Sequence, residues 1–146
     1  MKKIFFLCIL LLFLFRITNA QDINIDSLKQ QLESSREDTT KVNLLITLGS
    51  EYQWSKPDTA IQYGLVALQL AQQLNFTKGE TEVAALLTEA FCTRGNFSKA
   101  LEIDLKALQV AKKSGDQELI DNCLQAIGWF TSIQVTTKER LIILLN

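Results

Sequence analysis

The chain of 146 residues carries 15 basic and 16 acidic side chains, no histidine and one proline, and 47% of its residues are hydrophobic. That composition builds a core rather than a disordered tail, and the length allows one domain. A net charge of −1 with no basic stripe excludes nucleic acid as a partner, because phosphate binding needs clustered lysine and arginine.

The N-terminus opens with Met1-Lys2-Lys3, continues through the uncharged apolar run Ile4 to Phe15, and leaves it by Arg16-Ile17-Thr18-Asn19-Ala20. A basic start, a short apolar core and a small-residue exit predict a secretory signal peptide over residues 1–20, cleaved after Ala20. The run falls short of the roughly 20 apolar residues that a membrane span needs, so no stable span is expected once the leader is removed. The mature chain is expected to start at Gln21 and to work outside the cytoplasm, periplasmic or secreted. Loss of Lys2, Lys3 and Arg16 takes the net charge from −1 to −4. Cys8 lies inside the apolar run rather than at its exit, which argues against a lipid-modified terminus. Only Cys92 and Cys123 then remain, too few for a disulfide scaffold.

From Asp26 to Ser132 apolar residues recur at spacings of three and four, the period of helices. Asp26 is expected to cap a first helix from Ser27 to about Ser35, with Leu28 and Leu32 on its inner face. A second begins near Asp38-Thr39-Thr40 and carries Val42, Leu45, Leu48 and Tyr52. Ser55-Lys56-Pro57-Asp58 closes it and opens a third through Ile61, Leu65, Leu68 and Ala71, because proline's fixed φ suits a first helical position. Asn75 to Gly79 reads as the next break, before a fourth helix through Val83, Leu86, Leu87 and Phe91. Arg94-Gly95-Asn96 turns the chain into a fifth helix, Phe97 to Lys113. Ser114-Gly115-Asp116 caps a sixth that carries Leu119, Ile120, Leu124 and Ile127 to about Ser132. Beyond it, Thr137 to Leu145 is expected to start a short helix that lies back on that apolar face.

The third helix repeats in the fifth. Ala60, Leu65, Ala67, Leu68, Gln69 and Ala71 recur as Ala100, Leu105, Ala107, Leu108, Gln109 and Ala111, each 40 residues on, and a fixed period of helix pairs means a solenoid. Leu48-Gly49 with Tyr52 precedes Ala60 and Ala67; Leu87-Thr88 with Phe91 precedes Gly95-Asn96-Phe97, Ala100 and Ala107; Ile127-Gly128 opens a third unit. This pattern resembles the tetratricopeptide repeat (TPR) family over residues 38–132. The resemblance implies an all-α fold of helix-turn-helix repeats stacked as a short solenoid. Residues 21–37 then form an N-terminal capping helix, 38–132 about two full repeats and one partial, and 133–146 an atypical tail. Small residues at Gly49, Gly128, Ala60, Ala67, Ala100 and Ala107 let helices approach, and Tyr52 and Phe91 fill what remains. The chain departs from the family in its longer period, in Thr88 where a small glycine is usual, and in Asp104 and Thr131 where aromatics are usual. The long repeat, the leader and the Asp38-Thr39-Thr40 entry also resemble the extracytoplasmic start of bacterial sensor proteins, which implies a signalling role.

Catalytic parts are missing: no histidine base, no glycine-rich phosphate loop and no serine in a strained turn. No enzyme activity and no cofactor are expected. Glu82 and Glu89, seven apart on one helical face, could hold a cation only with a third ligand, and a solvated face accounts for them better. The 40-residue offset sets Cys123 opposite Val83, about 13 Å along the helix axis from Cys92, which predicts two separate thiols. Asn75-Phe76-Thr77 and Asn96-Phe97-Ser98 match a glycosylation acceptor but read as ordinary turns. The TPR resemblance implies a protein or peptide ligand on a concave wall of Asn43, Thr47, Ser50 and Trp54, then Glu82 and Glu89, then Asn122, Gln125 and Trp129. On that wall the tryptophans are either anchors or core and end-cap residues. A second reading is an adaptor that self-associates through its open C-terminal end.

Overall fold

The computed structural model describes residues 24–145, with the backbone alone for Phe130 and for residues 133–145. The expected signal peptide over residues 1–20, the expected cleavage after Ala20, Cys8 and residues 21–23 lie outside the described residues. Six helices follow in chain order: α1 Ile25–Ser34, α2 Thr39–Tyr52, α3 Pro57–Gln73, α4 Thr77–Thr93, α5 Phe97–Ser114 and α6 Gln117–Leu145. The fold is all-α, a stack of antiparallel helix pairs.

Local chemistry sets most boundaries. Asp38 Oδ1 accepts from the Thr40 and Lys41 amides at the start of α2, Pro57 is the first residue of α3, and Asn96 accepts from the Lys99 amide at the start of α5. Each satisfies or removes a backbone donor that a helix start would leave unpaired. Asn75, Gly95 and Gly115 have φ of 52°, 75° and 73°, the left-handed turn that ends α3, α4 and α5. After α3 and α4 the chain closes with matching bonds, Phe76 N to Ala71 O at 2.9 Å and Asn96 N to Phe91 O at 2.8 Å, the Schellman closure.

Three expected boundaries differ. Asn24, not Asp26, caps α1: its Oδ1 accepts from the Ser27 amide at 3.0 Å, and Asp26 sits in the first turn, where its charge complements the helix dipole. The third break ends at Phe76, and Gly79 lies inside α4. Its missing Cβ leaves room for the Phe76 ring, so this glycine serves packing rather than a turn. Finally, α6 does not stop near Ser132 but runs unbroken to Leu145. Residues 129–145 contain no proline and no glycine. Thr131 and Ser132 also hydrogen-bond back to the carbonyls of Gly128 and Trp129, which keeps these weak helix formers within the helix. The tail therefore cannot fold back over Leu119, Ile120, Leu124 and Ile127.

The core lies between successive pairs. Val42, Leu45, Ala67, Leu70, Ala71, Val83 and Leu87 form one cluster across α2, α3 and α4. Ala84, Ala107, Ala111, Leu119 and Cys123 form a second across α4, α5 and α6. Val42, Leu48, Val83 and Leu87 are fully buried, each worth about 1.5–3 kcal/mol relative to exposure. Gly49 permits the close approach expected of it, since a Cβ there would lie 2.5 Å from Leu86 Cδ2, and Gly64 does the same, with a Cβ 2.6 Å from Leu87 Cδ2. Gly128 does not, because it is exposed and no described atom lies within 4 Å of where its Cβ would be. Tyr52 packs beside Ala60, Leu86 and Ala90 and stacks on Tyr63 with centroids 6.1 Å apart. Lys29 of α1 reaches over the Tyr52 ring, which ties the capping helix to the stack.

Candidate functional site: the inner wall

The stack has two unlike sides. α2 touches α4 and α4 touches α6, whereas α3 and α5 do not touch among the described residues. The first helices of the pairs therefore form a continuous inner wall, and the second helices splay outward, the curvature of a solenoid. All nine wall residues named from the sequence lie on α2, α4 and α6, or, for Trp54, in the turn after α2.

On α2, Asn43 is exposed and Thr47 half-buried, with the Thr47 hydroxyl donating to the Asn43 carbonyl at 2.9 Å. Asn43, Ile46 and Thr47 share one recess with Phe76, Lys78 and Glu82. Glu82 also pairs loosely with Lys78, at 3.9 Å one turn earlier. Ser50 is half-buried. Glu89 is half-buried as well; burial pushes its carboxyl up from the ordinary range, and a hydrogen bond with the Gln53 side chain partly offsets this. On α6, Asn122, Gln125 and Trp129 are all exposed. Trp54 is 70% exposed and Trp129 55%, so the core reading of the tryptophans is overturned. Each stands in solvent with its large apolar face free for contact.

The structure thus brings Asn43, Thr47 and Glu82 into one recess and sets Glu89 beside Gln53. Among the described residues no group of three acidic, cysteine or histidine side chains is placed to hold a metal. Cys92 is half-buried and Cys123 buried, both free thiols. Burial pushes both thiols up from the ordinary range. No helix among the described residues is long and apolar enough to cross a membrane.

Sequence reasoning missed two features. One is an apolar groove on the outer side between α3 and α5, with Ala84, Leu87 and Phe91 in its floor and Leu65, Leu68 and Ile103 on its sides. Leu65 of the repeated pair Leu65 and Leu105 lines this groove and stays about half exposed. The other is a buried polar pair: the Thr88 hydroxyl donates to Asp104 Oδ1 at 2.7 Å. Both residues stand out as departures from the repeat pattern, but only the packing of α4 on α5 makes them partners.

The sequence profile described as the SusR N-terminal TPR domain matches residues 16–119, well over half of the chain. The chain belongs to the TPR family. A TPR domain is a scaffold for protein–protein interaction. Among curated proteins, none matches the chain significantly.

Proposed function

We propose that this chain is an exported, non-catalytic TPR scaffold that takes an extended or helical peptide segment of another protein along the inner wall, as the ligand-sensing part of a signalling protein. The exposure of Trp54 and Trp129 on an otherwise polar wall carries this reading. An indole held in water at no structural need is a ready anchor, because it buries a large area at low entropy cost. Export rests on the basic start, apolar core and Ala20 exit of residues 1–20. The signalling role draws on the long repeat, the leader and the Asp38-Thr39-Thr40 entry, which resemble the extracytoplasmic start of bacterial sensor proteins. A second reading, self-association through the open end, draws on Leu124 of α6, which remains 48% exposed.

The chain has only two tryptophans, so its emission reports on the wall directly. A peptide selected from a displayed library on the purified protein should shift that emission. Trp54→Ala and Trp129→Ala should each weaken its binding about tenfold, the 1–2 kcal/mol expected of an aromatic anchor. A peptide bound equally well by both variants would place recognition elsewhere, and loss of binding in Leu65→Lys would place it in the α3–α5 groove.

A further inference from the structure

Asp104 lies on α5, which packs against α4 and α6, and it is 3% exposed. Its Oδ1 accepts the Thr88 hydroxyl, while Oδ2 is buried with no hydrogen-bond partner among the described residues. From α4 the groups that face it are the Thr88 hydroxyl and the Cys92 thiol, and from α6 the Cys123 thiol. No lysine or arginine acts on the carboxyl among the described residues. A carboxylate here would have one hydrogen bond and no counter-charge, an arrangement that strongly favours the neutral acid.

We propose that Asp104 is a proton-operated latch on α6: gain of one proton tightens α6 against α4 and α5, and its loss loosens that helix selectively. Selectivity follows from topology. Among the described residues α6 touches α4 and α5 only, and only Leu119 and Cys123 of its described side chains are buried, whereas α4 buries eight residues. The sign follows from linkage. Asp104 is buried within a stack that includes α6. Burial raises its pKa and the Thr88 hydroxyl pulls it partly back, so undocking α6, by admitting water, would relax that rise. Between the open and docked values the docked form binds more protons. Docking is therefore strongest below the ordinary carboxyl value and weakens as pH rises through the docked one. One such group changes the docking equilibrium by at most about tenfold per pH unit. Because α6 also carries Asn122, Gln125 and Trp129, the latch would set whether the last third of the inner wall is in place. That consequence rests on the proposed function, but the latch itself does not.

Hydrogen exchange of the full chain between pH 4 and 8, corrected for intrinsic rates, tests the latch. In the natural sequence, α6 amides from Glu118 to Gly128 should lose up to about tenfold protection per pH unit across the window, while α2 and α3 hold theirs. Asp104→Asn keeps an acceptor for Thr88 but cannot titrate, and its α6 protection should be flat with pH. Thr88→Val removes the donor that favours the carboxylate, so the window should move to higher pH. An α6 profile that survives in Asp104→Asn, or a pH dependence equal in every helix, would overturn the latch. Neither outcome depends on whether the tryptophans bind a peptide.

Discussion

The joint between the first and second repeats and the joint between the second and third use the same register positions differently. At the first, Gly49 and Gly64 leave space that Leu86 and Leu87 fill, and the contact is dry and close. At the second, the equivalent positions are Thr88 and Asp104, and 40 residues beyond Leu86 and Leu87 stand Ala126 and Ile127, both only half-buried. A repeat interface therefore accommodates a polar pair in place of two glycines where the side chains 40 residues beyond Leu86 and Leu87 are less buried, with Asp104 Oδ1 met by Thr88 and Oδ2 left unmet among the described residues. The result is a tight inner joint and a looser outer one.

The largest effect should come from forcing the second solution on the first joint. Gly64→Asp would drive a carboxyl against Leu87 with no threonine to meet it, because the neighbouring position is Gly49. It should cost on the order of 3–5 kcal/mol, the scale of an uncompensated buried charge. A urea midpoint like that of the natural sequence would show that the two joints are interchangeable. Next, Thr88→Val keeps the shape but leaves both Asp104 oxygens without a donor, and should cost about 1–3 kcal/mol; chemical denaturation at neutral pH measures it. The smallest pair sharpens the comparison most, because it reverses sign at one register position. Gly49→Ala should destabilise by about 1 kcal/mol, since Leu86 must shift to admit the methyl group. Gly128→Ala meets nothing within 4 Å and should stabilise α6 by about 0.5–1 kcal/mol through helix propensity. Thermal melts of the two variants that moved in the same direction would refute the assigned register.

Much of this was legible because it is local. Asp38, Pro57, Gly95 and Gly115 mark helix ends through chemistry that acts within a few residues, and a 40-residue period carries that reading from one repeat to the next. The helix register is legible in the same way, which is why eight of the nine named residues fall on α2, α4 and α6 and Trp54 falls in the turn after α2. What escaped depends on which distant side chains meet. Gly79 looked like a turn because nothing in the sequence shows the Phe76 ring lying over it. Thr88 and Asp104 are sixteen residues apart and read separately as defects. The unbroken course of α6 was missed because a partial repeat suggested a turn that the residues after Gly128 do not encode.

The contact of α2, α4 and α6 along one side, with α3 and α5 held apart on the other, also has a mechanical meaning. α4 is the hub of the stack: it touches α2, α3, α5 and α6, and most extensively the two outer helices α3 and α5. Any change in the width of the outer groove must therefore slide α3 or α5 against α4, whose opposite side carries Glu82 and Glu89 of the inner wall. The two faces of the molecule share one helix.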